Sequence, residues 1–210
     1  MSTGRAEAFS DGVFAIAITL LVLGLRLSGH GSVTGQLLAA WPQYFAYLVS
    51  FLTIGIMWMN HHTILAHVAR VDRPLLVLNL LLLMGIVAIP FPTSLVAGNL
   101  NNPHGGTAAV VTYGLVMIAI SCGFAGLWIY VATHAPSLGA VVPPEALRKS
   151  IPGFTVGLGA YVAATLIALV SPLAALIIFG LLAVYYLFDH LPSPAEAGPE
   201  AAPDDPESGP

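Results

Sequence analysis

The stretch RAEAFSDGVFAIAITLLVLGL, Arg5 to Leu25, decides how this chain is read. An arginine and a carboxylate, Asp11, stand at its edge, and no charged side chain follows from Gly12 to Leu25. About 20 apolar residues in helical conformation cross the hydrocarbon core of a bilayer. The run from about Phe9 to Leu27 approaches that length and reads as a membrane-spanning helix. It is too long for the apolar region of a secretory signal, and no A-x-A-like cleavage site follows closely, so it reads as a retained helix.

The rest of the chain has the same character. Of 210 residues, 57% are hydrophobic and only 8% charged, with a mean hydropathy of +0.88. Soluble domains carry about 25% charged residues, so lipid must be part of this protein's solvent. The formal charge of −4 comes from the last residues, where Glu196, Glu200, Asp204, Asp205 and Glu207 cluster. The body is close to neutral, which argues against a nucleic-acid partner. A single cysteine, Cys122, excludes an internal disulfide or a CxxC metal site.

Six apolar segments follow one another, at about Phe9–Leu27, Trp41–Val68, Leu75–Ala97, Thr107–Thr133, Ile151–Val170 and Pro172–Asp189. The third carries PFP at Pro90–Pro92, which should kink or end it. The fifth and sixth are joined by SP and form a tight hairpin. The expected fold is all-α: a polytopic membrane protein of six transmembrane helices in residues 1–190. Residues 191–210 are Pro-, Ala- and acid-rich and read as a disordered, solvated tail. Arg5, Arg70, Arg73, Arg148 and Lys149 fall on one side of this arrangement and only Arg26 on the other. The positive-inside rule then places both termini in the cytoplasm.

Ionisable groups within membrane segments are expensive and point to function. Here they are Asp11 on the first segment, and His61, His62 and His67 on the second, beside Trp58 and Asn60; the polar Asn79 lies on the third. On a helical wheel at about 100° per residue, Ile16, Leu20 and Leu23 fall within about 60° of one another. Gly12 and Leu27 extend this stripe and Thr19 borders it. Asp11 lies about 140° from Ile16, on the face of Phe14, Ile18 and Leu21. The carboxylate therefore faces a different neighbour from the aliphatic stripe. A buried carboxylate needs partners, and Arg5, Ser10, His61 or His62, and Asn79 are available. By itself an Ile/Leu stripe on an all-round apolar helix means packing or lipid contact.

Catalysis and metal binding are poorly supported. His61 and His62 are adjacent and point apart, His62 and His67 lie about 140° apart, and no nearby carboxylate completes a metal site. Hydrogen bonding of His61 or His62, with Asp11 as partner, is the expectation; pH sensing is open to a histidine. No GxSxG, Walker, HExxH or GxGxxG motif occurs, and no TVGYG-like filter. No catalytic residue, metal ligand or cofactor is assigned.

R-x-x-x-F-S-D at Arg5, Phe9, Ser10 and Asp11, the following GVFAIAITLLVL and WMNHH on the second segment resemble the transmembrane protein 175 family of potassium-permeable channels. The resemblance covers about residues 1–190. It implies a homotetramer of single six-helix units in a bacterial inner membrane, with the first helix of each subunit lining a central pore. Ile16, Leu20 and Leu23 are then the narrow positions and Thr19 a nearby hydroxyl. The resemblance further implies a structural network of Arg5, Phe9, Ser10, Asp11, Trp58 and one of His61 and His62, with Asn79 as a further candidate. The function it implies is passive conduction of monovalent cations, potassium among them. An aliphatic ring offers no ligand to a dehydrated ion and gates by narrowing or dewetting. The alternatives are a secondary transporter, for which PFP is a break but no internal repeat is visible, and a membrane enzyme built on the histidines.

Overall fold

The computed structural model describes residues 2–26, 31–102, 105–140, 143–149 and 151–187. Leu27, the end of the sixth segment and the 191–210 tail lie outside them. The described residues are helical almost throughout: α1 (Thr3–Leu21), a 3-10 turn (Val22–Gly24), α2 (Val33–Ala39), α3 (Trp41–Ala66), α4 (Arg73–Ala88), α5 (Pro90–Asn99), α6 (Gly105–Thr133), α7 (Ala135–Leu138), α8 (Pro144–Lys149), α9 (Ile151–Ile167) and α10 (Pro172–Leu187). Among the described residues four stretches are long and apolar enough to cross a membrane: Thr3–Gly24, Trp41–Ala66, Arg73–Asn99 and Gly105–Thr133. Val156–Ile167 and Pro172–Leu187 are shorter apolar helices.

Local chemistry sets these boundaries. Ser32 caps α2 by accepting from the Gly35 amide at 3.1 Å. Pro42 and Pro74 sit in the first turns of α3 and α4, where a missing N–H costs nothing. The third segment breaks where PFP predicts. Pro90 has no amide to continue the ladder, the Ile89 amide turns back to the Ile86 carbonyl at 3.1 Å, and α5 begins. Thr93 donates its hydroxyl to the Ile89 carbonyl at 2.8 Å. Ser50 of α3 lies 2.8 Å from Thr93 Oγ1 and 3.2 Å from the Tyr113 hydroxyl of α6. This buried hydroxyl group ties the far side of the break to two neighbouring helices.

Asp72 caps α4, accepting from the Leu75 amide at 3.0 Å and from the Tyr130 hydroxyl at 2.7 Å. Partial desolvation pushes its carboxyl up, but the Tyr130 and Leu75 donors, with His134 nearby, outweigh that and hold it below the usual carboxylate range. The connectors hold more structure than the sequence suggests: α2 follows the Gly-rich break, and α7 and α8 occupy the link after α6.

The core is assembled around α6. Its Tyr113, Met117, Ile120, Leu127, Trp128 and Val131 are buried, and it packs against α4, α5, α9 and α10. The α4–α6 crossing is close because Gly85 and Gly123 leave out a side chain. A Cβ at Gly85 would lie 2.9 Å from Ile120 Cγ1, and one at Gly123 3.1 Å from Leu82 Cδ1. Against this body lies α1, packed on α3, α4 and α5.

Candidate functional site

α1 has two faces of different fate. Ala6, Ser10, Phe14, Ala17 and Leu21 are buried, and their spacing of three or four residues marks a single helical stripe. The opposite stripe is left uncovered: Ile16 is 58% exposed, Leu20 38% and Leu23 67%. Gly12 and Thr19 are exposed beside them. Thr19 donates its hydroxyl proton to the Ile16 carbonyl of its own helix at 2.8 Å, so the oxygen's lone pairs face outward. Arg5 and Phe9 share this uncovered face. Among the described residues the Arg5 guanidinium has no partner.

The buried stripe carries the polar contacts between helices. Ser10 is fully buried and donates its one hydroxyl proton to the Ala6 carbonyl at 2.8 Å. It must therefore accept at its oxygen, and the Asn79 amide of α4 donates to it at 3.0 Å. That fixes which way the Asn79 amide points. Its carbonyl oxygen, Oδ1, then faces His61 Nε2 of α3 at 2.7 Å. An amide oxygen only accepts, so His61 carries its proton on Nε2. His61 is buried with its ring 5.4 Å from that of Phe14. Its other nitrogen, Nδ1, is buried with no hydrogen-bond partner among the described residues.

A second pair of contacts lies toward the surface. Trp58 donates its indole N–H to Asp11 Oδ1 at 2.8 Å. His62 pairs through Nδ1 with Glu7, one turn before Asp11 on α1. The three α3 side chains thus diverge as helical spacing requires: His61 turns inward to Asn79, while Trp58 and His62 turn to the α1 carboxylates. His67 Nδ1 lies 2.6 Å from the Thr63 carbonyl, and its ring meets Trp128 edge-on at 5.3 Å. Among the described residues no three His, Cys, Asp or Glu side chains gather as metal ligands would.

Of the expected network, the structure brings Ser10, Asn79 and His61 together, and Asp11 with Trp58. It leaves Arg5 and Phe9 on the uncovered face. A histidine was the expected partner of Asp11, but Trp58 takes that place: His61 points into the core, and His62 meets Glu7 first. Sequence reasoning missed Glu7. The signal was its position four residues before Asp11, on the same face of a helix.

Comparison with known proteins gives these contacts a context. Residues 5–90, which hold all of the residues just described except those beyond α5, match the family model of the endosomal/lysosomal potassium channel TMEM175. The chain is 44% identical over 195 residues to a potassium channel of Streptomyces collinus, covering 91% of this chain and 95% of that one. It is 40% identical over 193 residues to a potassium channel of Chamaesiphon minutus, covering 88% and 93%. The crystal structure of a lysosomal potassium-selective channel TMEM175 homolog from Chamaesiphon minutus superposes with a TM-score of 0.78 at 38% identity, over 88% of this chain and 95% of that one.

Proposed function

This chain belongs to the TMEM175 family, and from that premise we propose that it is a potassium channel conducting passively through a pore built around α1. The family is one of ion channels rather than enzymes, and the chain is a multi-pass membrane protein. The single observation that carries the pore reading is the division of α1. One face is fastened to α3 and α4 by hydrogen bonds, while Ile16, Leu20 and Leu23 are left uncovered. The uncovered stripe also carries Arg5 and the outward lone pairs of Thr19, which suit a watered conduit better than a lipid-only face.

In this reading four copies meet with α1 at the axis. Residues 1–190 form one channel unit, with α9 and α10 completing six spans and both termini cytoplasmic, as the lysine and arginine bias favours. Ile16, Leu20 and Leu23 narrow the path and Thr19 supplies oxygen. The Ser10–Asn79–His61 and Asp11–Trp58 contacts hold the pore helix at its angle. Permeant potassium is the only ligand this function needs.

The test is electrical. Purified protein in liposomes should pass potassium down its gradient without ATP or a counter-solute. Ile16→Asn or Leu23→Asn should change conductance or ion preference while the assembly keeps the mass of four chains. Absence of flux, or indifference to both substitutions, defeats the proposal.

A further inference from the structure

Beyond the last turn of α1 lies a cleft that the pore reading does not use. Gly24 and Arg26 after α1, Gln43 near the start of α3, and Ser94, Ala97 and Gly98 on α5 enclose a cavity of about 260 Å³. Gly24 and Gly98 contribute backbone alone to its lining, and a Cβ at Gly24 would lie 3.6 Å from Ser94 Cβ. A Cβ placed at Gly98 meets nothing within 4 Å.

The charges around it are one-sided. Among the described residues Arg26 is the one lysine or arginine at this end of the fold; the other five belong to the opposite end. The carboxylates of the described residues are Glu7, Asp11, Asp72 and Glu145, and none is near it. Glu7 and Asp11 lie in the first half of α1. Asp72 follows Arg70, which pairs with Ser2 at the chain start. Glu145 lies on α8, beyond the far end of α6. Among the described residues the Arg26 guanidinium therefore has neither an ion-pair nor a hydrogen-bond partner.

The neutral groups have fixed roles as well. Gln43 accepts from the Arg26 backbone amide at 2.6 Å through Oε1, so its NH2 group, with two donors, is free to turn to another acceptor. Ser94 sends its hydroxyl proton to the Phe91 carbonyl at 2.7 Å. Arg26 and Gln43 thus bring a guanidinium fork and an amide donor to the lining of the cleft, and no carboxylate of the described residues lines it. A cation at the end of a membrane span sits at headgroup depth, and a guanidinium fork matches the oxygens of a phosphate.

We propose that this cleft binds a phosphate-bearing anion, held by the Arg26 guanidinium and the Gln43 amide. The same chemistry is presented by a lipid headgroup and by free phosphate. Either occupant bridges the end of α1 to α3 and α5. Binding is read per chain, so its test needs no conduction measurement and can fail while the pore reading stands.

The experiment uses the full chain in detergent, with two probes. Native mass spectrometry counts adducts of phosphatidylglycerol, with diacylglycerol as the phosphate-free control. Thermal unfolding is followed with inorganic phosphate against chloride at equal ionic strength. Variants are Arg26→Ala and Arg26→Lys, which change the charge or its fork at an exposed side chain, and Gly98→Leu, which adds bulk at the lining of the cleft without touching charge. One phosphate-bearing ligand per chain is expected, lost in Arg26→Ala and Gly98→Leu and weakened about tenfold in Arg26→Lys, which keeps the charge but not the fork. A lipid adduct alone identifies a headgroup as the occupant, and a melting rise with inorganic phosphate identifies the free anion. The proposal is overturned if neither probe binds, if diacylglycerol binds equally, or if binding survives both Arg26→Ala and Gly98→Leu.

Discussion

Ser10 has one hydroxyl proton, and it goes to the Ala6 carbonyl. Every later step at this joint follows from that assignment: the Asn79 amide must donate to Ser10, its carbonyl must accept, and His61 must hold its proton on Nε2. Replacing His61 with Ala strands the buried Asn79 carbonyl, at a cost of about 1–3 kcal/mol. His61→Gln keeps an N–H donor and should recover part of that loss. Thermal unfolding of the purified protein compares the two, and equal losses would remove the donor assignment. Asp11 and Trp58 form a second residue-scale unit. Asp11→Ala and Trp58→Phe should be non-additive, with a coupling of about 0.5–3 kcal/mol in a double-mutant cycle. Simple additivity of the two losses would show that the contact carries no energy of its own.

At the scale of elements, the start of α4 is tied to the end of α6 through one carboxylate. Asp72 accepts from the Leu75 amide of its own helix and from the Tyr130 hydroxyl, and its folded pKa is depressed. A depressed carboxyl stabilises the fold above its unfolded value of about 3.9, and that contribution is lost as pH falls through the lower folded value. Asp72→Asn keeps a capping side chain but does not titrate. The melting difference between wild type and Asp72→Asn should therefore shrink as the medium is acidified below about pH 4. A difference that stays constant with pH contradicts the assignment. The α4–α5 break works differently. It follows from the missing Pro90 amide, and its direction is held by the hydroxyls of Ser50, Thr93 and Tyr113. α1 shows the third kind of element, with one face fixed by polar contacts and one uncovered along its length.

For the whole molecule, the division of α1 converts helix packing into a prediction about assembly. A single chain leaves Ile16 and Leu23 more than half exposed, and the proposed assembly of four chains about one axis would bring these side chains together. Ile16→Asn places a polar group in that ring without touching the α1–α3–α4 contacts. Its thermal stability and assembled mass should stay close to wild type while potassium flux in liposomes changes. Collapse of the assembly with no change in the flux of surviving protein would put Ile16 in a packing interface instead of a conduit. The same separation works in reverse for the joint: Asp11→Ala should reduce the yield of assembled protein more than it alters ion preference.

The sequence by itself determined that this chain is helical and lives in lipid, where its third segment breaks, and which stripe of α1 is aliphatic. Those properties are one-dimensional: composition, the absence of an N–H in proline, and a period of about 3.6 residues. Only the tertiary structure decided which residues meet. Asp11 had five partners within reach on paper, and Trp58, which was not among them, takes it. Glu7 gains its role only where the packing of α3 brings His62 to it. Arg5 and Phe9 belong to the same motif as Ser10 and Asp11 but end on the other face. Hydrogen bonds form over about 3 Å and depend on angle, so the rotation and register of one helix against another select them, and that register arises from packing of α1, α3 and α4 together rather than from any one segment.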